Sequence, residues 1–207
     1  SYADRAALSD VPEAVARYLK SALPDNFAII RMARLRHNGY LRTGLDKEWE
    51  KIKGEQYISG ILPGFAWKGQ TKLFTAIDSF IAGKGNLSVW LFSALRIINK
   101  CGSQTDDAEI IRWIAESALL PSNLLPSHNL KWEAVDRDTT KLHYTFQDKV
   151  FSLLVHFNTH NEIETVETRR LFNGKELQKW KGRFGSYKRI EGYKIPTKLE
   201  AAWIIDG

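Results

Sequence analysis

Apolar and polar positions alternate most cleanly in the last third of the chain. Thr140, Leu142, Tyr144 and Phe146 interleave with Lys141, His143 and Thr145, a period of two that sends successive side chains to opposite faces of a strand. Gln147-Asp148-Lys149 turns that strand into a second one, where Phe151, Leu153, Val155 and Phe157 alternate with Ser152 and His156. Further strands are predicted around 163–171, 180–189 and 193–205, divided at Asn173-Gly174 and Glu191-Gly192. Strands at this spacing, joined by turns and not by helices, make an antiparallel sheet.

Two stretches change period. After Asp10 as cap, Pro12 in the first turn and Glu13 reaching back, Val11, Val15, Tyr18, Leu19 and Ala22 form a helical stripe that ends before Pro24. A second helix starts at Asp106, with Glu109 three residues on, and stops at Pro121. Ile110, Trp113, Ile114 and Ala118 share its apolar face. Arg112 and Glu116 lie opposite, spaced as a surface ion pair. Between the helices, 27–36 reads as a strand entering a hairpin at Asn38-Gly39, with Tyr40-Leu41-Arg42 as its return. Residues 49–68 read as strand broken by Leu62-Pro63-Gly64. Short apolar runs around Gly83 and Gly85 read as hairpins, and 87–98 fits strand or helix by periodicity alone. The pattern is α+β, one domain over 1–207, without repeats or low-complexity tracts.

Composition narrows the class without choosing a function. Thirty basic against 24 acidic residues leave a net charge of +6, which favours acidic partners and says nothing about fold. The basic residues concentrate from Lys175 to Lys198, interleaved with Trp180, Phe184, Tyr187 and Tyr193. That pattern fits a nucleic-acid or anionic-membrane surface, but a solvated strand face is the commoner origin, and nucleic acid is not the expected partner. The single Cys101 excludes an internal disulfide and multi-cysteine zinc sites. No apolar run approaches the roughly 20 residues a bilayer-spanning helix needs. The chain begins at Ser1 and not at Met, so an upstream segment, a signal peptide or membrane anchor, is expected.

Chemistry-bearing candidates are few. There is no Walker loop, dinucleotide fingerprint, zinc-binding His-Glu-x-x-His helix or nucleophile elbow. Neither a cofactor nor a metal is expected, although His143 and His156 project from one face of adjacent strands. Glu55, with Glu116 or His143, forms a candidate acid/base pair for an enzyme acting on a hydrophobic small molecule. Seven tryptophans supply large aromatic surface, enough to line an apolar cavity or to fill a core.

Five strings, in order along almost the whole chain, resemble a family of bacterial proteins of unknown function. They run from Val11 to Leu19; through Glu55-Gln56-Tyr57 with Pro63-Gly64-Phe65-Ala66-Trp67; through Gly83-Lys84-Gly85; through Arg112-Trp113-Ile114-Ala115-Glu116 with Pro121; and through Gly192-Tyr193-Lys194-Ile195-Pro196 with Trp203. The closing pattern is also similar to the lipoprotein-localisation-factor (LolA/LolB-like) architecture. That resemblance implies a strongly curved antiparallel sheet, an incomplete barrel, with helices covering its concave side around an apolar cavity. It implies binding of a lipid or acyl chain without catalysis. The expected lining is Phe65, Trp67, Trp90, Trp113, Trp132, Tyr144, Phe146 and Phe157, with Arg31, Arg34 or Arg170 meeting an acidic headgroup. The 69–100 region matches that architecture poorly.

Overall fold

The alternation is realised as two open antiparallel sheets. The computed structural model describes residues 10–172 and 176–205, so the turn read at Asn173-Gly174, together with Lys175, lies outside the described residues. Helix α1 (Glu13–Ala22) opens the described chain. Six strands follow: β1 (Met32–Leu41), β2 (Glu50–Ser59), β3 (Phe65–Gln70), β4 (Phe74–Ile81), β5 (Lys84–Leu91) and β6 (Leu95–Cys101). Helix α2 (Ser103–Glu116) leads through short 3-10 turns at Ser117–Leu119 and Pro121–Leu124 to the second set. That set is β7 (Leu130–Ala134), β8 (Thr139–Phe146), β9 (Lys149–Phe157), β10 (Ile163–Phe172), β11 (Glu176–Gly185), β12 (Lys188–Ile190), β13 (Tyr193–Ile195) and β14 (Lys198–Ile204). Among the described residues the fold is therefore α+β, mostly antiparallel sheet with two α-helices.

The chain divides into two compact units, an inserted one of Arg31–Trp113 and a flanking one of Ser1–Ile30 with Ile114–Gly207. Strand order in the inserted unit is β1-β2-β3-β4-β5-β6. In the flanking unit it is β14-β11-β10-β9-β8-β7, with β12 and β13 as a separate two-stranded ribbon. Neither sheet closes on itself among the described residues, so there is no closed barrel.

In the flanking unit, Val15, Tyr18 and Leu19 of α1 are fully buried, as are Leu142, Leu153, Val155 and Ile163 of the sheet. The Tyr18 and Phe157 rings meet at 5.7 Å. Burial pushes the Tyr18 and Tyr187 hydroxyls well above the ordinary tyrosine range. Tyr187 donates to Ile163 O at 2.8 Å, and Tyr193 donates to Ala28 O at 2.6 Å, which anchors the ends of the ribbon. No described helix is long and apolar enough to cross a membrane.

Several local readings need correction. Asn38-Gly39 is no turn: both residues sit inside β1, opposite Lys53 and Ile52. The chain reverses later, through residues 42–49, because the alternation of half-buried and exposed positions in β1 continues unbroken to Leu41. The strand read from 27 begins only at Met32. Pro12, not Asp10, occupies the cap position of α1, with no side-chain capping bond. The ambiguous 87–98 stretch is strand on both sides of a turn, in β5 and β6.

Candidate functional site

Register builds one face of the inserted sheet row by row. Gln56, Trp67, Asp78 and Leu87 stand side by side across β2 to β5. Ile58, Phe65, Phe80 and Gly85 form the row on one side, and Gly54, Gly69, Ala76 and Val89 the row on the other. The first part of α2 lies on this face. Its Trp113 indole donates to Ser59 O at 2.9 Å, and its Asp106 accepts from the Gly85 N–H at 2.7 Å. A β-carbon at Gly85 would stand 2.6 Å from Thr105 O, so the helix comes as near the sheet as a bare backbone permits.

A buried charge sits under that helix. Arg112 bonds Asp78 at 2.5 Å, with side chains 19% and 10% exposed, and its guanidinium stacks 4.6 Å from the Phe65 ring and 5.4 Å from Trp67. The helix position read as an outward surface charge is thus mostly enclosed. Trp67 Nε1 donates to His37 Nε2 at 2.8 Å, and the two rings lie parallel. Glycines make room for both: a β-carbon at Gly54 would fall 2.1 Å from His37 Nε2, and one at Gly69 would fall 2.3 Å from the Trp67 ring. Around them Leu35, Leu87 and Val89 are only half-buried, and Ile98 is exposed. This face is apolar, aromatic and incompletely covered.

The other expected site residues scatter. Arg34 and Glu55 pair on the opposite face, with Arg36 at 3.6 Å from the same carboxylate. The Arg34 hydrogen bond, with the charges of Arg34 and Arg36, holds the Glu55 carboxyl below its usual range, which suits a fixed anion and not a proton donor. Trp90 also faces that side, beside Thr75, under the Arg96 guanidinium at 5.5 Å. Arg31 is exposed ahead of β1.

Trp132, Tyr144, Phe146 and Phe157 belong to the flanking unit, as do Glu116 and His143. Trp132 donates to Leu124 O at 3.0 Å and packs 6.5 Å from the Phe157 ring. Tyr144 and Phe157 are buried, while Phe146 is half-buried. The apolar cavity here, bounded by Trp132, Leu142, Leu153 and Ile163, holds about 10 Å³, which is at most one water. His143 bonds Ser152 Oγ at 2.8 Å and Glu133 at 2.9 Å, and His156 bonds Thr139 at 3.1 Å. No described group of three or more His, Cys, Asp or Glu side chains is arranged to hold a metal. Arg170 lies over the neighbouring Trp180 and Trp203 rings, at 5.4 and 5.7 Å, where it packs on the sheet.

The whole described fold falls within one family alignment, covering residues 9–207. The chain belongs to a family of unknown function, DUF6920. No curated protein matches it.

In this DUF6920 chain much of the basic segment is internally compensated. Lys179 and Lys181 each reach Glu167 at 2.7 Å, Lys194 reaches Glu162 at 2.7 Å, and Lys198 reaches Glu200 at 2.8 Å. Burial opposes ionisation of Glu167, yet bonds and charge from the two lysines hold it at about 2. An open groove of about 680 Å³ runs beside them, lined by both signs, including His156, Arg183, Lys198 and Glu200. Sequence reasoning missed Asp78, Arg112 and His37 as parts of a site. One signal was available: Asp78 falls in phase with Ala76 and Phe80, so an acid occupies the buried face of an apolar strand.

Proposed function

We propose that this protein binds a hydrophobic ligand, a lipid or acyl chain, on the helix-bearing face of the inserted sheet. The observation that carries this reading is the incomplete cover of that face. Leu35, Trp67, Leu87 and Val89 keep apolar surface in contact with solvent beside the enclosed Arg112–Asp78 pair. In a compact sheet, apolar side chains in the buried phase are ordinarily covered. An acyl chain laid across them gains about 25 cal/mol per Å² of apolar area removed from water, before association costs.

In this reading the sheet is strongly curved, an incomplete barrel of the LolA/LolB-like kind, with α2 as cover over its concave side. Arg112 stands at the covered end, where its guanidinium can share an acidic headgroup with Asp78 held as counter-ion. The bound chain then runs over Trp67 towards Val89. Catalysis is not part of the reading; Glu55 lies on the opposite face, paired with Arg34.

Native mass spectrometry of the purified protein, with extraction and identification of co-purifying lipid, tests it. A bound acyl species in the wild type that is absent from Val89→Arg is the expected result. Protein free of lipid after expression in lipid-rich cells, and indifferent to added fatty acid, would overturn it.

A further inference from the structure

We infer that one end of the inserted sheet docks on an anionic lipid bilayer, through three apolar loops backed by lysines. In an up-and-down antiparallel sheet, alternate connections emerge at the same end. The β1–β2, β3–β4 and β5–β6 loops are therefore neighbours. Each carries a large apolar side chain into solvent: Leu45 and Trp49 in the first, Leu73 in the second and Phe92 in the third, with Leu95 just beyond. Leu45 is 74% exposed and Phe92 69%. The Phe92 N–H donates to Leu73 O at 2.7 Å, which ties the second loop to the third.

Phe92 is the decisive residue. Leu91 to Ala94 form a tight turn closed by Ala94 N–H to Leu91 O at 3.0 Å, with φ of 48° at Phe92 and 58° at Ser93. This left-handed pair is the type I′ geometry that Asn-Gly suits and a bulky aromatic does not. An aromatic held in an unfavourable backbone region and aimed into water does nothing for the fold. It suits an apolar phase outside the protein.

Charge identifies that phase. Arg42, Lys47, Lys72 and Arg96 are exposed in or next to the loops, and Lys51, Lys53 and Lys68 are exposed in the strand positions behind them. Against these seven cations stand four acids, Asp46, Glu48, Glu50 and, opposite Lys68, Glu55. Arg42 lies 4.9 Å over the Trp49 ring, an aromatic–cation pair of the kind that rests at headgroup depth. Apolar tips entering the acyl boundary, backed by cations at the phosphates, describe a peripheral membrane contact. A nucleic acid could stack a base on Phe92 or Trp49, but it would leave the aliphatic tips Leu45, Leu73 and Leu95 without a partner.

Vesicle flotation tests this with phosphatidylcholine alone and with added phosphatidylglycerol. The wild type is expected to float with the anionic vesicles, less so as salt rises. Phe92→Asn separates fold from binding: it suits the turn, so thermal stability should hold or increase while the bound fraction falls several-fold. Lys51→Glu with Lys53→Glu should abolish the preference for phosphatidylglycerol. No flotation with anionic vesicles, or Phe92→Asn floating unchanged, would overturn the inference. So would lysine-dependent binding to a single-stranded oligonucleotide that ignores Phe92.

Discussion

Asp78 and Arg112 show what a buried charge demands of its surroundings. The guanidinium lies against two aromatic rings and bonds the Asp78 carboxylate in a mostly enclosed site, so removing that carboxylate takes away a buried, close charge partner. Asp78→Ala should lower stability by about 3–5 kcal/mol, and adding Arg112→Met should restore much of the loss. Chemical denaturation of the two variants measures both effects, and equal loss in the single and double variants would contradict the pairing. Glu167 makes a second residue-scale case. Its carboxyl sits at about 2 against an ordinary 4.5, so it contributes stability above pH 4.5 that disappears as pH falls towards 2. Glu167→Gln should therefore be less stable than the wild type at pH 7 and close to it at pH 2, as read from urea midpoints. At this scale the sequence singles out the aromatic Phe65 and Trp67, which share one sheet face, but not the charge beneath α2. Arg112 is offset from the apolar stripe of its helix, and helical phase alone cannot report that a sheet carrying an aspartate lies on that side.

At the scale of elements, Asn38-Gly39 is the instructive error. The pair is the strongest short hairpin signal in the chain, yet β1 runs through it, because alternating burial and a ten-residue register with β2 outweigh a dipeptide preference. The Gly39 position has open space, with only an Ile52 methyl group at 4.0 Å. Gly39→Val should thus stabilise the protein by about 0.5–1 kcal/mol, as a glycine inside a strand is a weak choice. Loss of stability in a thermal melt would mean that a turn does form there. Gly85→Ala should do the reverse, since a β-carbon 2.6 Å from Thr105 O forces α2 away from the sheet. The strands β8 and β9 and the two helices were legible because their periods are long and clean, although α2 starts at Ser103 and not at Asp106, which lies inside it and bonds Gly85. The compensation of Lys179 and Lys181 was not, because its partner Glu167 lies on β10, outside the basic run, and only pairing of β10 with β11 brings them together.

At the scale of the whole molecule, the inserted unit carries the candidate site. Its helix-bearing face has incompletely covered apolar side chains, whereas the apolar cavity of the flanking unit is filled to about 10 Å³. Of the eight aromatic side chains expected to line a ligand site, Phe65 and Trp67 share this face, and Trp113 anchors the helix on it. Trp132, Tyr144 and Phe157 are packed in the flanking unit. That division could not be read from the sequence, because alternation assigns a side chain to a face without saying what covers it. Titration of a fluorescent fatty acid, followed by displacement with an unlabelled one, asks the central question directly. Saturable, displaceable binding by the wild type, lost in Val89→Arg but kept in Phe92→Asn, is the result expected. Absence of saturable binding, or equal binding by Val89→Arg, would contradict it.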